Sequence, residues 1–391
     1  MKLLWVVLLF ALTCLLEASI ASEVIVRRVG NLPEHSYWWW VVSTDGKRVY
    51  AMGARAQVNS QRRDMFTVDV DAKPPYLALE IDPAVEQTVT KYLLQEPFPP
   101  FHNAQYIRAS LGDDLVWLTR DYDFWQVANG RIYALLPLQR DPDVYPARWR
   151  TIHEIDATTR QVVRSVDVRN VLPKGDASID VERSQYIITM QISPDGRRLL
   201  TGHSGLIMVW SLPDLQPLFY KPYNSDREIT AIELSADGRL LYALAYARGL
   251  LVLNLQSREL ERWDPKSQPG TPQKFGIEDL HMVDMALAPD GREIFFALRY
   301  VHVKGAVAAL DTSSRKITRI LRLGPTACIS LCVVGNKLFA SCLDGIYVID
   351  IDAWRKNPTY QPPWAKEEMG NLNTSLPQIV LVHARTRSGY G

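Results

Sequence analysis

Ser193-Pro194-Asp195-Gly196-Arg197 decides the fold of this chain, because the phrase returns as Ser235-Ala236-Asp237-Gly238-Arg239 and Ala288-Pro289-Asp290-Gly291-Arg292, with Ser43-Thr44-Asp45-Gly46-Lys47 as a fourth copy. Each copy follows one short apolar run and precedes another. Gly accepts the positive φ that a tight turn demands and Asp braces the turn with its carboxylate, so Asp-Gly between two such runs predicts a β-hairpin. A hairpin recurring at a period of roughly 40–55 residues predicts a radial repeat, the β-propeller.

The copies extend beyond the turn. Within 282–323 an apolar run leads into Pro289-Asp290-Gly291, and three further runs follow, the third strand ending in Asp311-Thr312. That is one complete blade. The same frame fits 187–219, with Met208-Val209-Trp210-Ser211-Leu212 as third strand, and 229–263, with Leu251-Val252-Leu253-Asn254-Leu255. It fits 38–81 with Phe66-Thr67-Val68-Asp69-Val70 as third strand, and 329–351 with Gly335-Asn336 as the turn. A sixth, irregular copy is expected to begin at Tyr106, turn at Gly112-Asp113-Asp114 and end within 152–168. The expected class is all-β: a single propeller of four-stranded antiparallel blades, six visible, with room for a seventh in 82–185. The last copy lacks a fourth strand. Val24-Ile25-Val26-Arg27-Arg28-Val29 reads like the fourth strand Arg319-Ile320-Leu321-Arg322-Leu323, so the N-terminal strand is expected to complete the last blade and close the ring. The competing closure uses 379–383.

Lys2, an apolar run over 3–16 and the small residues Ala18-Ser19-Ile20-Ala21 read as a secretory signal peptide over 1–21, with cleavage expected after Ala21; an uncleaved anchor is the alternative. The propeller is then expected over 22–356, followed by a Pro-rich polar segment lying on the surface over 357–391. The mature chain is expected to be secreted or periplasmic and to hold no transmembrane segment. The formal net charge of +1 lacks the basic excess that non-specific nucleic-acid binding requires. Cys328, Cys332 and Cys342 stay in the mature chain. If Gly335-Asn336 turns the hairpin, Cys328 and Cys332 share a face and Cys342, near Ile329, points the other way. Buried thiols are the plain reading, and a register shift of one residue would permit one disulfide. Asn373-Thr374-Ser375 is a glycosylation sequon.

In a propeller the links between second and third strands, and those between successive blades, gather on one face, where ligands bind. The second-to-third links are expected to supply Arg55, Arg62 and Arg63, then Arg120, Tyr122 and Trp125, then His203, Arg248, Arg299 and His302. Arginines converging from several blades can cradle a carboxylate, a phosphate or an acidic partner loop, because guanidinium offers a planar fork. Ordinary solvated loop charges are the alternative. Asp121-Tyr122-Asp123-Phe124-Trp125 sets aromatics beside carboxylates, a composition that grips sugars and peptides. Tyr37-Trp38-Trp39-Trp40 lies on a first strand and reads as core. His203 in Gly202-His203-Ser204-Gly205 suits a structural hydrogen bond as well as a ligand. The seven histidines show no metal spacing, and no nucleophile elbow or phosphate loop is present. The sequence assigns no catalytic residue, metal ligand or cofactor.

The turn phrase, the third strands ending in Asp311-Thr312 or Asn254-Leu255, and the leader together resemble secreted YVTN/WD40-like propellers, whose superfamily includes the heavy subunits of quinoprotein amine dehydrogenases. The resemblance implies a propeller over about 24–352. No catalytic residue transfers, because a repeated YVTN tetrad is absent and the Gly-His and Trp-Asp marks are incomplete. Two expectations follow. One is a non-catalytic scaffold that binds a protein partner or a small acidic ligand through its loop face. The other is an enzyme, either a subunit of a periplasmic redox enzyme or a hydrolase with carboxylates at the channel mouth.

Overall fold

The computed structural model describes residues 25–29, 36–43, 49–55, 57–58, 66–67, 76–82, 87–94, 107–109, 124–135, 150–173, 175–223, 228–245, 249–263, 281–299, 305–324, 328–342 and 345–367. Between 36 and 125, and at Arg28, His281, Arg299 and Ile329, the backbone alone is described.

Six sheets among these residues are antiparallel meanders of the blade type. Blade 1 runs through Ser36–Ser43, Val49–Arg55, Tyr76–Asp82 and Gln87–Leu94. Blade 2 runs through Phe124–Ala128, Arg131–Leu135, Thr151–Asp156 and Val162–Asp167. Blade 3 comprises Ile187–Ile192, Arg198–His203, Leu206–Ser211 and Pro217–Pro222. Blade 4 comprises Ile229–Leu234, Leu240–Ala245, Gly249–Asn254 and Leu260–Trp263. Blade 5 comprises His281–Leu287, Glu293–Arg299, Ala306–Asp311 and Lys316–Arg322. Blade 6 holds Cys328–Val334, Lys337–Cys342 and Gly345–Asp350, and its outermost strand is the N-terminal Val26–Arg28. The first strands of blades 2 to 6 lie side by side in succession, that of blade 6 lies beside that of blade 1, and Ile107–Ala109 stands between those of blades 1 and 2. Ile107–Ala109 adds a parallel strand to the first strand of blade 1.

The expected ring closure is present. Val26, Arg27 and Arg28 pair antiparallel with Ile349, Val348 and Tyr347. The ladder continues at both ends, where Val29 N donates to Ile346 O at 2.8 Å and Asp350 N to Ile25 O at 2.9 Å. Joining the start of the chain to its last blade covers two strand edges that would otherwise template aggregation.

The turn phrase works as its residues dictate. Gly196 takes φ 66° and Gly238 takes φ 65°. The Asp195 carboxylate accepts from Ser193 Oγ at 2.6 Å and from Arg197 N at 3.0 Å, while Ser193 Oγ accepts from Arg198 N at 2.9 Å. Ser235 and Asp237 repeat this arrangement. Three donors hold the Asp237 carboxyl down at about 2, the Ser235 hydroxyl most of all. Turns also hook one another. Asn129 Nδ2 donates to Gly196 O at 3.1 Å, and Arg198 Nη2 donates to Gly238 O at 3.2 Å. The positive φ is what favours glycine at Gly196; a Cβ there would also sit 2.9 Å from Asn129 Nδ2, a contact that the exposed end of that side chain can yield.

Two strand assignments differ from the sequence reading. The third strand of blade 1 is Tyr76–Asp82, not the run at Phe66, and Phe66–Thr67 instead pairs with Gln57–Val58. Blade 2 begins at Phe124 and turns at Asn129-Gly130 (φ 51° and 70°), not at Gly112-Asp113-Asp114, which lies outside the described residues. Asn-Gly is the two-residue turn that tolerates positive φ at both positions.

The core lies as slabs between blades. Trp210, Met208, Ile132 and Ile152 fill the slab between blades 2 and 3; Leu241, Val209 and Ile229 fill the next. Phe296, Ile294 and Leu250 join blades 4 and 5, and Phe295, Leu321 and Ile349 join blades 5 and 6. After blade 6 the Asp350 carboxylate caps the helix Ile351–Lys356 through Ala353 N at 2.9 Å. That helix buries Trp354 against Phe295, with ring centres 6.1 Å apart, and anchors Arg355 to Glu293 at 2.8 Å and to Asp290 at 2.9 Å. The following residues still touch the blades: in the helix Pro363–Glu367, Trp364 Nε1 donates to Leu323 O at 2.6 Å.

The cysteines are buried as expected, and their geometry follows the one-residue register shift held as the alternative rather than the plain hairpin register. The first strand of blade 6 shifts register between Cys328 and Ser330, so Cys328 lies opposite Cys342 and Cys332 lies opposite Phe339. The bulged residue inverts side-chain parity and puts Cys332 on the other face. All three thiols are buried.

Candidate functional site

An antiparallel meander places alternate connections at opposite ends of its sheet. First-to-second and third-to-fourth connections therefore share one end of every blade. They are tight here: 129–130, 193–197, 235–239, 288–292 and 335–336 for the former, 157–161, 212–216, 255–259 and 312–315 for the latter. The described strand ends that flank the longer stretches 56–75, 136–150, 168–186 and 264–280 all lie at the other end, the link end. The stretch 95–123 also leaves from and returns to that end, but its strand Ile107–Ala109 runs beside Val41–Ser43 to the turn end of blade 1.

The register fixes which expected site residues reach the link end. Arg55 lies opposite Ser36, His203 opposite Ile187 and Arg299 opposite His281. Each pairs the last residue of a second strand with the first residue of a first strand, but the rungs are not equivalent. The position of His203, on the rung just before the register shift, is taken by Ala245 in blade 4, Leu298 in blade 5 and Cys342 in blade 6, all buried. Arg299 lies one residue further out along its strand, and Arg55 ends the second strand of blade 1 nine residues after Gly46, where His203 follows Gly196 by seven. Trp125 belongs to a first strand, opposite Ala134, and not to a second-to-third link. It still sits near the link end, because first strands start there. Arg62, Arg63, Arg120, Tyr122, Arg248 and His302 lie outside the described residues, as do the leader and the sequon.

His203 is withdrawn from any open face. It is fully buried, and its Nε2 lies 2.8 Å from Thr201 Oγ1, which accepts from Trp210 Nε1 at 3.0 Å. Tyr223 OH donates to the His203 carbonyl at 2.7 Å. Burial pushes the imidazole down to about 4, against a partial opposing pull from the Tyr186 and Ser184 carbonyls. A neutral histidine in this relay clamps the second and third strands of blade 3.

The first strands carry a polar line that sequence reading missed. Gln191 Nε2 donates to Glu233 Oε2 at 3.0 Å, linking blades 3 and 4. Asp284 in blade 5 is buried, and its carboxylate accepts from Leu331 N of blade 6 at 2.8 Å and from Met285 N at 2.9 Å. Burial holds the Asp284 carboxyl well above the ordinary carboxylate range despite those donors. Asp284 follows a register shift between Met282 and Asp284, and the same shift recurs at Ile187/Thr189, Ile229/Ala231 and Cys328/Ser330. No residue type marks such a bulge in the sequence. The two acids on these strands are tied to neighbouring blades, which gives them structural work. Among the described residues no group of three or more His, Cys, Asp and Glu side chains is placed to hold a metal ion, and no helix is long and apolar enough to cross a membrane.

No protein-family model and no curated protein matches the chain. Among solved structures, the chain is similar to the β-propeller domain of Cps50 (Swd1) from Myceliophteria thermophila, at 12% identity and a TM-score of 0.52, covering 82% of this chain and 99% of that one. A chain of the mitotic checkpoint complex aligns at 10% identity over 82% of this chain and 78% of its own length, with a TM-score of 0.44. The first likeness supports the propeller fold and nothing beyond it.

Proposed function

We propose that this chain is a secreted, non-catalytic propeller scaffold that binds a partner protein through its link face, recognising acidic groups on that partner. The observation that carries this reading is the asymmetry of the connections: the first-to-second and third-to-fourth turns of the described blades are tight, and the strand ends flanking the longer stretches 56–75, 136–150, 168–186 and 264–280 lie at the opposite end. Binding residues favour such loops on a fixed scaffold. Arg55 and Arg299 mark the rim of that face, and Arg62, Arg63, Arg120, Arg248, Tyr122, Trp125 and His302 are assigned to it by sequence. His203 is not part of the surface, since it is buried within blade 3.

The test is capture from the chain's native compartment by the wild-type protein and by an Arg62→Glu/Arg120→Glu/Arg248→Glu variant. A partner retained by the wild type and lost by the folded variant supports the face. A partner held equally by both removes it, and turnover of a small substrate by the purified chain removes the non-catalytic half of the proposal.

A further inference from the structure

The geometry points to a disulfide between Cys328 and Cys342, closing across the first two strands of blade 6. The two residues are direct cross-strand partners. Opposed residues of an antiparallel pair have Cα atoms about 4.5–5.5 Å apart, inside the span of about 4.4–6.8 Å that disulfides bridge. Both side chains are fully buried in one cluster with Leu331, Leu338 and Ala340, so they share a face as well as a rung. Cys332, opposite Phe339, is on the other face.

The bulge makes the pair. Without the extra residue between Cys328 and Ser330, Cys328 and Cys332 would share a face and Cys342 would point away from both. The same shift occurs at the same place in the first strands of blades 3, 4 and 5. The register that joins Cys328 to Cys342 is therefore a property of the repeat and not an accident of one blade. The bond would tie the link end of the blade in which the N-terminal strand closes the ring.

The oxidant required is a small-molecule disulfide such as oxidised glutathione. One cysteine thiolate attacks it, breaking its S–S bond and releasing one thiolate. The second cysteine then attacks the mixed disulfide, forming the Cys328–Cys342 bond and releasing the second thiolate. The two protons lost by the cysteines go to the two released thiolates, so two cysteine thiols are oxidised and one disulfide is reduced. Because both sulfurs are buried in the folded blade, the exchange belongs to the folding of the chain.

The full chain carrying Cys14→Ser is refolded from urea in a reduced and oxidised glutathione buffer, denatured, alkylated without reductant and mapped by peptide mass. The expected result is alkylation of Cys332 alone, with the Cys328 and Cys342 peptides linked, and alkylation of all three after reduction. A Cys332→Ser chain should keep the link. Alkylation of all three thiols before reduction, a bridge that includes Cys332, or glutathione persisting on Cys328 or Cys342 would each overturn the assignment.

Discussion

Val26 lies opposite Ile349, and this pair makes the first described strand of the chain the outermost strand of its last blade. Val26 is 2% exposed and Ile349 0%, so the closure rests on apolar burial as well as on the ladder. Val26→Asp places a carboxylate in that interface and should cost about 3 kcal/mol or more in urea unfolding. Arg27→Gln, on the exposed side of the same strand, should cost under about 1 kcal/mol. Equal losses would mean that the strand is held by its backbone alone.

Thr201 stands between Trp210 and His203, accepting from Trp210 Nε1 and partnering His203 Nε2. Thr201→Val leaves two buried polar groups without their partner and should cost about 1–3 kcal/mol. His203 also predicts a pH dependence, since its pKa falls from 6.5 to about 4 on folding. The unfolded chain takes up this proton first, so the contribution is complete above pH 6.5 and is lost as pH falls towards 4. The lost stability should approach about 1.4 kcal/mol per pH unit in that window. The difference in urea midpoint between wild type and His203→Gln should therefore change between pH 7 and pH 4; a constant difference would contradict the depressed pKa.

Asp284 has the opposite sign. Its carboxyl is held well above 3.8, so folding favours the protonated form, and its contribution weakens as pH rises from 3.8 through the folded value. Asp284→Asn keeps a neutral acceptor for Leu331 N and should change stability by no more than about 1 kcal/mol at neutral pH, whereas Asp284→Leu orphans that donor and should cost about 1–3 kcal/mol. Denaturant midpoints of the two variants compare them directly, and an Asn variant as damaged as the Leu variant would show that the carboxylate charge is required.

The segment after the helix Ile351–Lys356 is not idle. Trp364 donates to Leu323 O and its ring lies 6.4 Å from that of Tyr347, while Gln361 bridges Ile320 O and Arg322 N. A chain ending at residue 356 should be about 1–2 kcal/mol less stable than one ending at 367. Identical unfolding midpoints would assign the segment no part in holding blades 5 and 6.

The sequence made some parts of this architecture plain and concealed others for physical reasons. Asp195-Gly196, Asp237-Gly238 and Asp290-Gly291 announce their hairpins because glycine is there for its positive φ. Val24 to Val29 was readable as a closing strand because it repeats the pattern of Arg319 to Leu323. Blade 2 was misplaced because its turn, Asn129-Gly130, uses different chemistry from the repeated phrase. In blade 1 the apolar run at Phe66 competed with Tyr76–Asp82, although Glu80-Ile81-Asp82 shares its ending with Glu154-Ile155-Asp156 of blade 2. The Cys328–Cys342 pairing and the polar line through Glu233 and Asp284 depend on bulges, which follow from how neighbouring blades pack and leave no local signature. His203 looked like a loop residue because a strand end and a loop carry the same residues; only burial separates them.

The direct test of the link-face assignment is site-specific photo-crosslinking in the native compartment. A photoreactive residue is placed at Arg62, Arg120 or Arg248 on the link side and, in parallel chains, at Thr158 or Arg239 among the exposed turns. Crosslinks to one and the same protein from the link-side positions, with none from the turns, are the predicted result. Crosslinks concentrated at Thr158 and Arg239, or spread evenly over both ends, would contradict it.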